Sequence, residues 1–177
     1  HVYPFLLTAG WTEQYAQASS LYLNQKDGTF LDAGKSAGRD LQKPTVSRGA
    51  AFADFDNDGD IDIAVTNLND RPQLFRNEGV AGKHWIMFRT RGRGSNRDGL
   101  GARIAISTAR LEQVWEIKRT VGIYSSSDPR AHFGLGEARQ VDSLEIRWPG
   151  GNVQRYENIP ADVHYVLDET EGLKREF

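Results

Sequence analysis

Five carboxylates stand on alternate positions of one short run, Asp54, Asp56, Asp58, Asp60 and Asp62, with Gly59 between the third and the fourth. Negative charges so close together repel one another unless a cation neutralises them, and hard carboxylate oxygens are what a hard divalent cation binds. Counted from Asp54, the run puts oxygens at loop positions 1, 3, 5, 7 and 9 and a glycine at position 6, where a loop that wraps Ca²⁺ turns sharply. The spacing predicts calcium ligation by Asp54, Asp56, Asp58 and Asp62, and by Asp60 through its main-chain carbonyl. Mg²⁺ suits the run less well, because it demands near-ideal octahedral geometry and keeps several waters. The plainer alternative is an acidic solvated loop; the regular spacing and the placed glycine favour the metal.

The flanks decide which kind of calcium loop this is. An EF-hand needs a helix on each side and a Glu at position 12. Position 12 is Val65, and the flanks 49–53 and 61–66 are short and carry β-branched or aromatic residues, which reads as strands. The loop is therefore expected to join two strands of a hairpin. The segment Ser47–Val65 resembles the FG-GAP (VCBS) repeat, the calcium-binding blade unit of integrin-type β-propellers. The quartet starting at Leu21 (Leu-Tyr-Leu-Asn) is echoed by that starting at Leu74 (Leu-Phe-Arg-Asn), an offset of 53 residues that suits a blade period. With Asp27-Gly28 as a turn before a strand start at Phe30, this reads as the end of one blade unit followed by one complete unit. A propeller needs about four to eight blades, so the chain is not expected to close one by itself.

From residue 84 onward a second unit is expected, also all-β. Leu144, Ile146 and Trp148 alternate with Glu145 and Arg147, the period-two signature of a half-buried strand. Residues 149–152 then turn the chain into Val153–Tyr156, completing a hairpin. Strands are also expected over 103–109 and 113–119. The one helix expected is short, near Thr12 to Ala18, with Thr12 as cap and Glu13 at the positive end.

Three stretches of this unit resemble the ASPIC/UnbV domain, which follows FG-GAP repeats in the cartilage acidic protein-like family. They are His84-Trp85 leading to Ser95–Arg103, then Arg130–Gly136, then Val141–Gly151. The two resemblances together cover roughly residues 20–168. The family shows a Gly-Tyr-x-Ser-Gln segment ahead of the His-Phe-Gly-Leu-Gly block; this chain has Gly122, Tyr124 and Ser125–Ser127 there, so no role for that Gln carries over. The relation implies a secreted or cell-surface protein with calcium-stabilised repeats and no established enzymatic activity.

Other chemistries have less behind them. The types Ser125–Ser127, Asp128 and His132 could suggest a hydrolase, but triads are recognised by geometry, and there is no nucleophile elbow. Gly134-Leu-Gly136 lacks the remainder of a dinucleotide loop, and no phosphate loop occurs. No catalytic or cofactor-binding residue is assigned, and a hydrolase using His132 remains the lesser alternative. Arg89, Arg91, Arg93, Arg97 and Arg103 crowd one stretch, yet the first three alternate as on a solvated strand face, no aromatics interleave, and the net charge is −2. Nucleic-acid binding is not expected. The polar cluster Ser95–Gly101 reads as a glycine-shaped loop in which Arg97 or Arg103 pairs with Asp98, the alternative being a recognition loop.

With no cysteine there are no disulfides or thiolate metal sites, and the compartment stays open on that ground. The apolar runs fall far short of the roughly 18 residues of a membrane span, and no Asn-x-Ser/Thr acceptor occurs. The chain begins at His1, as a processed protein or a piece of a longer one would. The expectation is an all-β protein with an FG-GAP-like repeat region (1–82) of blade-like antiparallel strands, followed by a β-sandwich-like ASPIC/UnbV domain (83–177). It would be a non-enzymatic, calcium-binding, extracellular, cell-surface or periplasmic adhesion or scaffold module. Donation of Val2–Leu7 to a neighbouring copy by strand addition would build a homo-oligomer or filament. The alternative is a C-terminal piece of a larger propeller protein with a carbohydrate or protein partner.

Overall fold

Short runs of alternating side chains separated by glycine and Asx turns give a chain built of strands. The computed structural model describes residues 8, 10, 14–25, 27–94 and 96–176. The architecture is all-β. The N-terminal part opens with the hairpin of β1 (Tyr22–Asn24) and β2 (Phe30–Asp32). Its turn is held by the Asp27 carboxylate, which accepts both the amide and the hydroxyl of Thr29, and by Gly28 at φ 88°. A single 3₁₀ turn (Asp40–Gln42) leads to β3 (Ser47–Ala53), β4 (Asp62–Asn67) and β5 (Gln73–Phe75), which form one antiparallel sheet. The acidic run is the β3–β4 connection, as expected, and the register pairs Phe52 with Ile63 and Ala53 with Asp62 on either side of it.

Beyond it run β6 (His84–Arg91), β7 (Arg103–Thr108), β8 (Leu111–Glu116), the short pair β9 (Thr120–Gly122) and β10 (Ser125–Ser126), β11 (Ala131–Gly136), β12 (Gln140–Arg147), β13 (Val153–Pro160), β14 (His164–Asp168) and β15 (Gly172–Arg175). Eight of these make two four-stranded sheets, β11-β6-β14-β15 and β13-β12-β7-β8. Among the described residues every ladder is antiparallel except β6–β14, which is parallel. The core lies between the sheets: Ile86, Phe88, Phe133, Tyr165 and Leu167 face Ile104, Ile106, Leu144, Ile146 and Ile159, all buried. Phe88 meets Phe133 edge-on at 6.0 Å and stacks on Tyr165 at 5.9 Å. Each such side chain contributes about 1.5–3 kcal/mol by leaving water. Leu144, Ile146 and Trp148 point inward, and the turn after Trp148 closes with the Trp148 amide donating to the Asn152 carbonyl, so this hairpin forms as expected.

Three expectations are corrected. Gln14–Ala18 is not helical: Gln17 exchanges both main-chain hydrogen bonds with Thr45 in an isolated antiparallel bridge, which requires an extended backbone. Thr12 and Glu13 lie outside the described residues, as do Val2–Leu7. Asp98 pairs with Arg119 at 2.8 Å rather than with Arg97 or Arg103, because the chain leaving β8 passes beside the 96–101 loop. The arginine row is ion-paired as well as solvated: Arg93 binds the buried Asp168 at 2.9 Å, Arg91 approaches it at 3.9 Å, and Arg89 pairs with Glu176.

The β9–β10 excursion attaches the sandwich to the N-terminal sheet. The Ala50 amide donates to Ser125 Oγ, the Phe52 amide to Ser127 Oγ, and the Asp128 amide to the Phe52 carbonyl. The free edge of β3 is thereby covered. Gly49 permits the approach, since a Cβ there would lie 2.6 Å from the Tyr124 carbonyl oxygen.

Candidate metal centre

The acidic loop is shaped first by its own backbone. Asn57 and Gly59 take positive φ, 60° and 95°, which turns the chain so that successive amides point inward. Asp54 is buried, and its two oxygens accept the amides of Asp58 (3.1 Å) and Gly59 (3.0 Å). Asp58 in turn accepts the Asp60 amide at 3.0 Å. The buried Asp62 closes the far end, accepting the amides of Phe55 (3.2 Å) and Asn77 (2.8 Å).

This folding brings Asp54, Asp56 and Asp58 together, with one carboxylate oxygen of each within 4.8 Å of the others. Arg76, from just beyond β5, lies 3.1 Å from Asp56 and 3.6 Å from Asp58, and it offsets part of their charge. Asp60 turns its carboxylate toward the next connection: a Cβ on Gly79 would meet Asp60 Oδ2 at 2.0 Å. Partial burial first, and then the neighbouring Asp58 charge, push the Asp60 carboxyl above the usual carboxylate range. Crowded hard oxygens on a glycine-turned loop fit a calcium ion, which Asp54, Asp56 and Asp58 would hold and which would supply the missing positive charge; the cluster does not include Asp60 or Asp62, and the Asp62 carboxylate is engaged by the Phe55 and Asn77 amides.

The sandwich grips the same loop from outside. Arg130 donates to the Asp54 carbonyl at 2.8 Å and to Asn57 Oδ1 at 2.9 Å while pairing with Asp128 at 2.6 Å. His132 lies 2.7 Å from the Gly59 carbonyl through Nε2; because a carbonyl only accepts, that nitrogen carries the proton. Burial pushes the His132 imidazole down in spite of this bond and of the nearby carboxylates. The Trp85 indole covers Gly59 so closely that a Cβ there would lie 1.9 Å from the ring. His164 stands edge-on to Trp85, with its buried Nε2 4.0 Å from Asp54 Oδ2.

The acidic run was visible in the sequence; Arg76, Asn77, Trp85, Arg130 and His164 were not singled out for it. They reach the loop from as far along the chain as His164, and no local spacing marks them. The side chains that suggested a hydrolase are committed elsewhere. Ser125 and Ser127 bind the β3 backbone, Asp128 binds Arg130, and His132 binds Gly59.

Comparison with known proteins finds two family models along the chain. Residues 6–65 match the model of the FG-GAP-like repeat, and residues 92–174 match that of the ASPIC and UnbV family. The chain thus carries an FG-GAP-like repeat followed by an ASPIC/UnbV domain. It is 43% identical to human cartilage acidic protein 1 over 69 residues, 39% of this chain and 10% of that protein. Against cartilage acidic protein 1 of Xenopus tropicalis it is 28% identical over 126 residues, 68% of this chain and 19% of that protein. The chain therefore spans between a tenth and a fifth of the length of these relatives. Among the described residues, no helix is long and apolar enough to cross a membrane.

Proposed function

We propose that the chain is a non-enzymatic, calcium-binding structural module of an extracellular adhesion or scaffold protein. The observation that carries this reading is the meeting of the Asp54, Asp56 and Asp58 carboxylates within 4.8 Å. Calcium bound there, with Asp60 and Asp62 completing the set, neutralises the loop and holds the Phe52–Ile63 register. Its binding free energy then adds to folding stability, about 2.7 kcal/mol at a hundredfold excess over the dissociation constant. The repeat region is taken as 1–82 and the ASPIC/UnbV unit as 83–177. The extracellular setting is supported by the relatives, whose name is cartilage acidic protein. The occupied Ser125, Asp128 and His132 side chains support a role without catalysis.

The test is thermal melting in calcium and in chelator. The melting temperature should rise with calcium, Asp58→Ala should remove most of that rise, and Asp40→Ala should keep it. An equal melting temperature in both conditions would sink the reading.

A second reading, assembly by strand addition, is favoured by one observation: the β1–β2 hairpin and the last strand of its neighbouring sheet expose Tyr22, Leu23, Phe30, Leu31 and Leu74. Because β3 is covered by residues 125–128, a donated strand would pair at β5 or at this hairpin. Mass measurement on the chain with and without residues 1–10 checks this; a monomer in both cases removes it.

A further inference from the structure

Between the acidic loop and the edge of the sandwich lies a cleft of about 440 Å³, within the range that holds small ligands. Phe52 and Ile61, at the two ends of the loop, form one wall, and Met87, Trp115 and Val121 complete the apolar lining; His132, bound through Nε2 to the Gly59 carbonyl, also borders the cleft. Phe52 is 42% exposed, Trp115 39% and Val121 45%, so water fills a recess whose surface is mostly apolar. Displacing that water is favourable, and a clustered apolar surface of this kind marks a place of contact.

The polar groups around the cleft are mostly spent. Ser127 Oγ accepts the Phe52 amide. Asp128 accepts from Arg130 Nε and from the Arg130 amide, and the remaining guanidinium nitrogens serve Asn57 and the Asp54 carbonyl. Arg130 and Asp128 thus cancel in charge and have little hydrogen-bonding capacity left. Lys118 differs: it lines the cleft, and among the described residues its ammonium group has no ion-pair or hydrogen-bond partner. An apolar recess with one uncompensated positive charge is complementary to a molecule with an apolar body and one negative end.

We propose that this cleft binds a small amphipathic monocarboxylate, its apolar body lying against Phe52, Trp115 and Val121 and its carboxylate meeting Lys118. A saccharide fits poorly, because it needs several unspent donors and acceptors and the lining offers few. The site does not depend on the acidic loop holding a metal; it shares walls with that loop but no carboxylate of it.

The probe is 6-phenylhexanoate, titrated into the full chain by calorimetry and by following the Trp115 indole N–H resonance, identified with Trp115→Phe. The matched neutral probe is 6-phenylhexanol and the matched cation is 6-phenylhexylammonium. The carboxylate should bind one per chain with a dissociation constant of about 1 mM or tighter and shift the Trp115 resonance. The alcohol and the ammonium should bind at least about tenfold more weakly. Lys118→Glu should weaken the carboxylate about tenfold, Lys35→Glu should leave it unchanged, and Val121→Trp should block it by filling the cleft. Val121 and Lys118 are exposed, so both variants should keep the wild-type melting temperature and far-ultraviolet circular dichroism. Absence of saturable binding, equal binding of all three probes, or binding unmoved by both cleft variants would overturn the proposal.

Discussion

The Arg130 guanidinium donates to the main-chain carbonyl of Asp54 across 2.8 Å, joining residues 76 positions apart. The first carboxylate of the acidic loop is therefore positioned through its backbone by the domain that follows. The same guanidinium pairs with Asp128, whose amide donates to the Phe52 carbonyl, so one side chain ties loop, strand and sandwich together.

Arg130→Ala should destabilise the protein by roughly 2–4 kcal/mol in urea denaturation with calcium present. The substitution removes the guanidinium from the mostly buried Asp128 carboxylate, which keeps only the amide of residue 130, and takes the Arg130 side-chain donor from the Asp54 carbonyl. Asp128→Ala combined with Arg130→Ala should cost less than the sum of the single changes, because the two share one interaction. Wild-type stability of Arg130→Ala would show that the sandwich does not brace the loop.

Gly59→Ala meets two obstacles. At φ 95° a side chain is strained, and the new Cβ would lie 1.9 Å from the Trp85 indole. A loss of about 2 kcal/mol or more is expected. Adding Trp85→Ala should relieve the clash but not the backbone strain, so the double variant should be more stable than additivity predicts.

Acid should weaken the fold in two stages, measured as unfolding free energy against pH in calcium. Burial holds the His132 imidazole below its ordinary 6.5, so the folded state binds fewer protons than the unfolded one. That contribution is present above about pH 6.5 and is lost as the pH falls below it toward the folded value. Burial alone would raise the Asp168 carboxyl, but Arg93, the amides of Thr170 and Glu171, and the Thr170 hydroxyl outweigh it and hold the group well below 3.8. Its contribution is present above about pH 4 and lost further down. His132→Gln should flatten the first stage and Asp168→Asn the second; an unchanged profile in either variant would contradict the assignment.

What could be read directly from the sequence was local. The alternation through Leu144, Ile146 and Trp148 needs only neighbouring residues to declare a strand, and Gly59 among the aspartates needs only a nine-residue window to declare a turn. The parallel pairing of β14 with β6 leaves no such trace, because its register joins His164 to Met87. The Arg130 grip was hidden for the same reason: its partners Asp54 and Asn57 lie in another unit. Residues 14–18 failed as a helix because a tertiary bridge to Thr45 outweighs a weak local preference. The Asp98 partner was missed because nearness in sequence favoured Arg97 and Arg103, whereas the fold delivers Arg119.

In the proposed function Asp54, Asp56 and Asp58 hold a calcium ion. Calorimetric titration of calcium into the chelator-treated full chain tests it most directly. One saturable site per chain is expected, lost in Asp58→Ala and retained in Asp40→Ala; absence of saturable binding, or identical binding by Asp58→Ala, would show that these carboxylates hold no calcium.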